Sequence, residues 1–161
     1  MKFSSCVFAA VMAVSVIASG CKSGPPKADP VKARISASTD VNPNAEGRAS
    51  PVHVRIFQLK EDGAFLGADF WALVDKETET LGGSLVQRQE HDLVPGESKD
   101  IELKVQPDAR VLGVMAEFAN YRNAQWRVIA KAPNKTLTDL IKKDRVTIRI
   151  DKDKATIVVG D

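Results

Sequence analysis

The chain has 161 residues with 23 basic and 21 acidic side chains, a formal net charge of +2, and 43% hydrophobic content. So balanced a charge offers no electrostatic field for nucleic acid or an anionic membrane surface. Only two cysteines are present, Cys6 and Cys21, which leaves little room for a disulfide framework or a thiolate metal site.

Lys2 places a positive charge at the start. From Cys6 to Ile17 every residue is apolar except Ser15. The small residues Ala18, Ser19 and Gly20 follow, and then Cys21. A charged start, an apolar middle and small residues at a cut site make a secretory signal over residues 1–20. The apolar run is 12 residues, short of the roughly 20 that a membrane-crossing helix needs. Ala18-Ser19-Gly20-Cys21 resembles the bacterial lipobox, with alanine where leucine is usual. Cys21 is then the lipidation site, carrying a covalent diacylglycerol on its thiol and an N-acyl chain on its freed amine. Several chains anchor stably where one binds marginally. Lys22, rather than aspartate, after the cysteine favours the outer membrane, with the body of the protein facing the periplasm.

Residues 21–30 read as the lipidated cysteine and a flexible tether. Gly24, Pro25, Pro26 and Pro30 favour extended backbone. At ~3.1 Å per residue, the segment from Lys22 reaches roughly 28 Å. Residues 31–161 remain as one domain with enough chain for a core. With Cys6 cut away and Cys21 acylated, that domain holds no disulfide and no free thiol.

Strand signals dominate the domain. Seven runs alternate apolar and polar residues: around Ala33–Ala37, Val52–Ile56, Ile101–Val105, Leu112–Phe118, Trp126–Ala130, Val146–Ile150 and Ala155–Val159. Short gaps between them predict a mainly β protein, an antiparallel sandwich with one face of each sheet inward. Asp40–Pro51 is polar, rich in breakers and longer than a tight hairpin needs. Residues 64 to 81 break the alternation. Phe70, Leu73 and Val74 have helical spacing after Asp69, an N-cap residue, and Gly82-Gly83 ends the region. This is a short helical insertion. A second helical turn is expected near Leu137, Leu140 and Ile141. Pro95-Gly96-Glu97 and Asp151–Lys154 are turns between strands.

Catalytic patterns are missing. His53 and His91 are isolated from each other and from cysteine, so zinc lacks ligands and no metal site is expected. There is no GxSxG elbow and no phosphate loop. Asp151 and Asp153 could open a calcium loop, but Thr156 stands where glycine is required. Lys142, Lys143 and Arg145 read as a solvated basic face. Trp71 and Trp126 are expected as core anchors, with a sugar platform as the alternative. The residues therefore leave open a periplasm-facing lipoprotein that binds a small apolar or sugar ligand.

The ordered pieces carry more than each alone. Pro51-Val52-His53-Val54-Arg55-Ile56-Phe57-Gln58-Leu59-Lys60 is followed by Ala64-Phe65, then Ala68-Asp69-Phe70 and Leu73. Later come Pro95-Gly96-Glu97, Leu112-Gly113-Val114-Met115-Ala116-Glu117-Phe118 and Ala124-Gln125-Trp126-Arg127-Val128. Behind a lipobox, this set resembles the TssJ family, also called VasD or SciN, the outer-membrane lipoprotein of the type VI secretion system. The resemblance implies a transthyretin-like β-sandwich without enzymatic activity or a cofactor beyond the covalent lipid. It implies binding to the periplasmic C-terminal region of the inner-membrane protein TssM, and through it an indirect link to TssL. The family's contact loop joins the first two strands and matches Asp40 to Ser50 here. Asn42, Pro43, Asn44, Glu46 and Arg48 are the contacts this match implies, with Gly47 permitting the turn.

Overall fold

A computed structural model describes residues 29–133 and 145–160. The chain order is β1 (Asp29–Ala37), β2 (Val52–Leu59), three short helices α1 (Gly63–Gly67), α2 (Phe70–Asp75) and α3 (Glu77–Leu81), then β3 (Leu85–Leu93), β4 (Ser98–Val105), β5 (Val111–Ala116), β6 (Arg127–Lys131), β7 (Arg145–Ile150) and β8 (Ala155–Val159). The strands form two four-stranded sheets, ordered β4-β1-β7-β8 and β3-β2-β5-β6.

Alternation builds the inter-sheet core as the period-two rule requires. Val31, Ala33, Ile35 and Ala37 of β1 point inward, as do Val52, Val54 and Ile56 of β2. Leu112, Val114, Ala116 and Phe118 meet them from β5 and its extension, and Val146, Ile148 and Ile150 from β7. The polar loop after β1 is long because it carries the chain from one sheet to the other. A two-residue hairpin would have kept β2 in the first sheet.

The helical insertion explains a second apolar layer. Phe57, Leu59 and Met115 point away from the inter-sheet core and are nevertheless fully buried. Phe65, Phe70, Leu73 and Leu81 of the helices cover them. Phe57 and Phe65 pack with ring centroids 5.3 Å apart. Gly113 lets the layers approach, since a Cβ there would meet the Phe65 ring at 3.1 Å. Asp69 caps α2, accepting the Ala72 N–H at 2.9 Å.

The structure corrects the sequence reading in several places. An eighth strand, β3, runs through the polar segment Gln87–Asp92. Its two faces are both partly polar, so no apolar alternation marks it. Gln89 Nε2 donates to the Glu102 carbonyl at 3.1 Å, and Gln106 Nε2 to Gln87 Oε1 at 2.8 Å, so glutamines close one side of the sandwich. The sandwich is not wholly antiparallel: β1 and β7 pair in parallel. β6 ends at the end of the sandwich where β1 begins, so a strand entering from there runs alongside β1. The insertion holds three short helices rather than one. Trp71 is 53% exposed and is no core anchor, whereas Trp126 packs against both apolar clusters. β1 already starts at Asp29, inside the expected tether. The signal, Cys21 and the turn expected near Leu137–Ile141 lie outside the described residues.

Candidate functional site

Four connections meet at one end of the sandwich: residues 38–51, 94–97, 117–126 and 151–154. Backbone bonds knit them together. The Ala37 N–H reaches the Glu97 carbonyl at 2.8 Å, Ser38 N–H the Ile150 carbonyl at 2.9 Å, and Gln125 N–H the Asp153 carbonyl at 2.8 Å. Gly96, at φ 79°, turns the second connection back so that its N–H meets the Ser38 carbonyl at 3.1 Å. Glu97 braces that turn. Its carboxylate accepts the Val94 N–H at 2.9 Å and the Lys99 ammonium at 3.0 Å, and these hold it below the usual carboxylate range. β1 is nine residues long, so this end lies roughly 30 Å from Asp29, where the chain enters.

The loop after β1 divides into a buried root and an exposed tip. Asn42 belongs to the root. It is 7% exposed and holds φ 48°, a left-handed conformation that asparagine tolerates better than most residues. Nδ2 donates to the Pro51 carbonyl at 2.7 Å, and Oδ1 accepts the Ala119 N–H at 2.7 Å. The Asn42 N–H donates to the Lys152 carbonyl at 2.9 Å. This residue therefore ties three connections together, and its side chain faces protein rather than solvent.

Asn44 organises the tip. Its Oδ1 accepts the N–H of Glu46 at 3.1 Å and of Arg48 at 2.9 Å. The Asn44 N–H donates to the Arg48 carbonyl, and Gly47 N–H to the Asn44 carbonyl, both at 2.9 Å. Gly47 sits at φ 74°, which glycine adopts without strain. Pro43 and Asn44 are half-buried; Glu46, Gly47 and Arg48 are exposed. Glu46 and Arg48 pair loosely at 3.7 Å across the tip. The result is a closed, internally bonded projection that offers one carboxylate and one guanidinium.

Two constellations escaped the sequence reading. On the outer face of the second sheet, Glu77 lies between two arginines, 2.9 Å from Arg88 Nη1 and 3.4 Å from Arg55 Nη1. Arg55 also donates to the carbonyls of Leu73 and Val74, both at 3.2 Å, and lies 2.7 Å from Glu117 as an ion pair without hydrogen-bond alignment. These contacts clamp α2 and α3 to β2 and β3, and Glu117, just after β5, joins them through Arg55. Four arginine and glutamate positions far apart in sequence give no local signal for it. The second constellation is aromatic: Phe70, Trp71, Tyr121 and Trp126, with Arg122 and Arg127 beside them. Among the described residues, no group of three or more His, Cys, Asp or Glu side chains could hold a metal ion, and no helix is long and apolar enough to cross a membrane.

Residues 29–153 match the type VI secretion lipoprotein family (VasD, EvfM, TssJ). Among solved structures, the lipoprotein TssJ1 from Pseudomonas aeruginosa is 32% identical with a TM-score of 0.74, over 84% of this chain and 98% of that one. Serratia marcescens Lip, a membrane-bound component of the type VI secretion system, is 26% identical with a TM-score of 0.72, over 82% and 97%. A chain in a structure of the TssM C-terminal domain from EAEC is also 26% identical, with a TM-score of 0.64 over 80% and 97%. No curated protein sequence matches significantly.

Proposed function

The chain belongs to the type VI secretion lipoprotein family, and on that premise we propose that it anchors the secretion machine's trans-envelope complex to the outer membrane. Lipid on Cys21 holds it there, and the domain faces the periplasm. It binds the periplasmic C-terminal region of a TssM-like inner-membrane protein, and reaches TssL only through that partner. It is a structural component without catalysis, and the covalent lipid is its sole cofactor.

The observation that carries the partner assignment is the preformed tip at residues 44–48. It stands at the end away from the chain's entry, where a membrane-tethered domain is free to meet a second protein. Its shape is set by its own hydrogen bonds, so docking orders little additional chain. The match to a chain in a TssM structure supports the same partner. Asn42 acts as the loop's brace through its side-chain bonds to Pro51 and Ala119, and Pro43, Asn44, Glu46 and Arg48 remain the proposed contacts, with Glu46 and Arg48 the exposed charged pair.

The test is binding of the mature lipoprotein, purified in detergent, to the periplasmic region of the TssM-like protein of the same genome. Wild type binds. Glu46→Ala with Arg48→Ala weakens binding at least about tenfold, the scale of one hot-spot residue, with an unchanged unfolding midpoint. A wild-type protein that does not bind overturns the partner assignment.

A further inference from the structure

We propose that Trp71, Tyr121 and Arg122 form a second contact for the same partner, an aromatic anchor beside the loop end that takes an apolar pocket rimmed by carboxylates. The inference rests on the partner reading above and adds a surface on the helical insertion that the loop does not include.

Trp71 is a large apolar side chain left open to solvent. Its neighbours Phe70 and Leu73 are buried, yet its own indole is 53% exposed. The insertion does not need that exposed surface. Phe65, Phe70, Leu73 and Leu81 already pack it down, and Arg127 Nη1 donates to the Phe65 carbonyl at 2.8 Å and the Ala68 carbonyl at 2.6 Å. A polar residue on the open side of α2 would leave the fold intact and the surface wetter.

The indole is nevertheless held in place. Its Nε1–H donates to the Tyr121 hydroxyl at 3.0 Å, and the two rings sit 5.7 Å apart at 80°. Tyr121 in turn stacks on buried Phe70 at 4.2 Å with a 14° tilt. The Arg122 guanidinium lies 5.3 Å above the Tyr121 ring. Tryptophan, tyrosine and arginine are the residue types that dominate binding hot spots, and rigid aromatics bring contact area at small entropic cost.

Position links this patch to the loop. Tyr121 and Arg122 follow Ala119, whose N–H bonds Asn42 Oδ1 at the root of the 44–48 tip. One hydrogen-bonded span thus joins tip and aromatic patch. A folded domain seated on the tip extends over the 119–122 connection and meets Trp71. The positive Arg122 calls for carboxylates at the rim of the partner's pocket.

The test uses the detergent-purified mature lipoprotein and the periplasmic region of the TssM-like protein, with Trp71→Ala and Arg122→Glu read beside the Glu46/Arg48 tip variant. Both Trp71→Ala and Arg122→Glu weaken binding at least about tenfold while the unfolding midpoint holds. Arg122 is exposed and lies on the outside of the Tyr121 ring, so its variant decides the matter if Trp71→Ala lowers stability. Tip-dependent binding that neither variant weakens overturns the aromatic anchor and leaves the partner reading standing. Absence of wild-type binding overturns both. Retained partner binding with loss of Trp71-dependent pelleting on purified peptidoglycan sacculi overturns the anchor and makes the patch a glycan platform.

Discussion

Glu77 is 7% exposed and faces the guanidinium groups of Arg55, itself 12% exposed, and Arg88. A carboxylate this buried is stable only while paired, and removing one member of a buried pair costs ~3–5 kcal/mol. Arg55 keeps Glu117 and Arg88 is partly solvated, so Glu77→Gln should cost less, about 2 kcal/mol, read as a lower urea midpoint. An unchanged midpoint would show that the clamp does not hold the helices. His91 contributes to the acid side of stability. Burial, then the Lys99 ammonium, lowers its pKa below the ordinary 6.5. The unfolded chain therefore binds the proton more readily, and stability, complete above 6.5, falls as pH drops through the folded value. Asp92, bonded to His53, and Glu97 are held low, so their contributions are lost at still lower pH. His91→Gln should flatten the fall in thermal midpoint just below pH 6.5; a variant as acid-sensitive as wild type there would refute the assignment. Residue roles were the least legible in the sequence. Asn42 reads as a polar loop residue whether it faces a partner or, as here, closes backbone groups inside.

The elements that alternate cleanly were legible: β1, β2, β4, β5, β6, β7 and β8 all contain runs predicted from spacing. β3 was not, because its inward face is built of Gln87, Gln89 and His91 and its outward face of Arg88, Glu90 and Asp92. Such a strand is stabilised by ladder bonds to β2 and by side-chain bonds across the seam, which no hydrophobic period reports. The helical insertion was visible in its spacing and in the Asp69 cap, but its exposed tryptophan was not. An aromatic at helical spacing looks the same whether it is covered or left open. At the loop, one side chain, Asn44, shapes the tip. Asn44→Ala removes the acceptor for the Glu46 and Arg48 amides. Those two amides should exchange with deuterium faster, with the strands unaffected. Unchanged protection at both would mean the tip is shaped by something else.

The whole molecule is a two-ended device. Chain entry at Asp29 marks one end and the tip the other, roughly 30 Å away along β1. Sequence alone carried the sandwich and the ordered set of segments that lies within the family match over residues 29–153. It did not carry the knitting of four connections into one end, which depends on contacts between segments distant in the chain. On the proposed anchoring by lipid at Cys21, Cys21→Ser should leave the domain folded, take no palmitate label and abolish secretion. Label retained in that variant would place the anchor elsewhere.

The tip end is proposed to meet the TssM-like partner in the intact envelope. The direct measurement is site-specific photocrosslinking in secreting cells, with the photoreactive residue at Ala45 on the tip or, as a control, at Lys104 near the chain-entry end. An adduct with the TssM-like protein is expected from position 45 and none from 104. An adduct from 104 alone would contradict it.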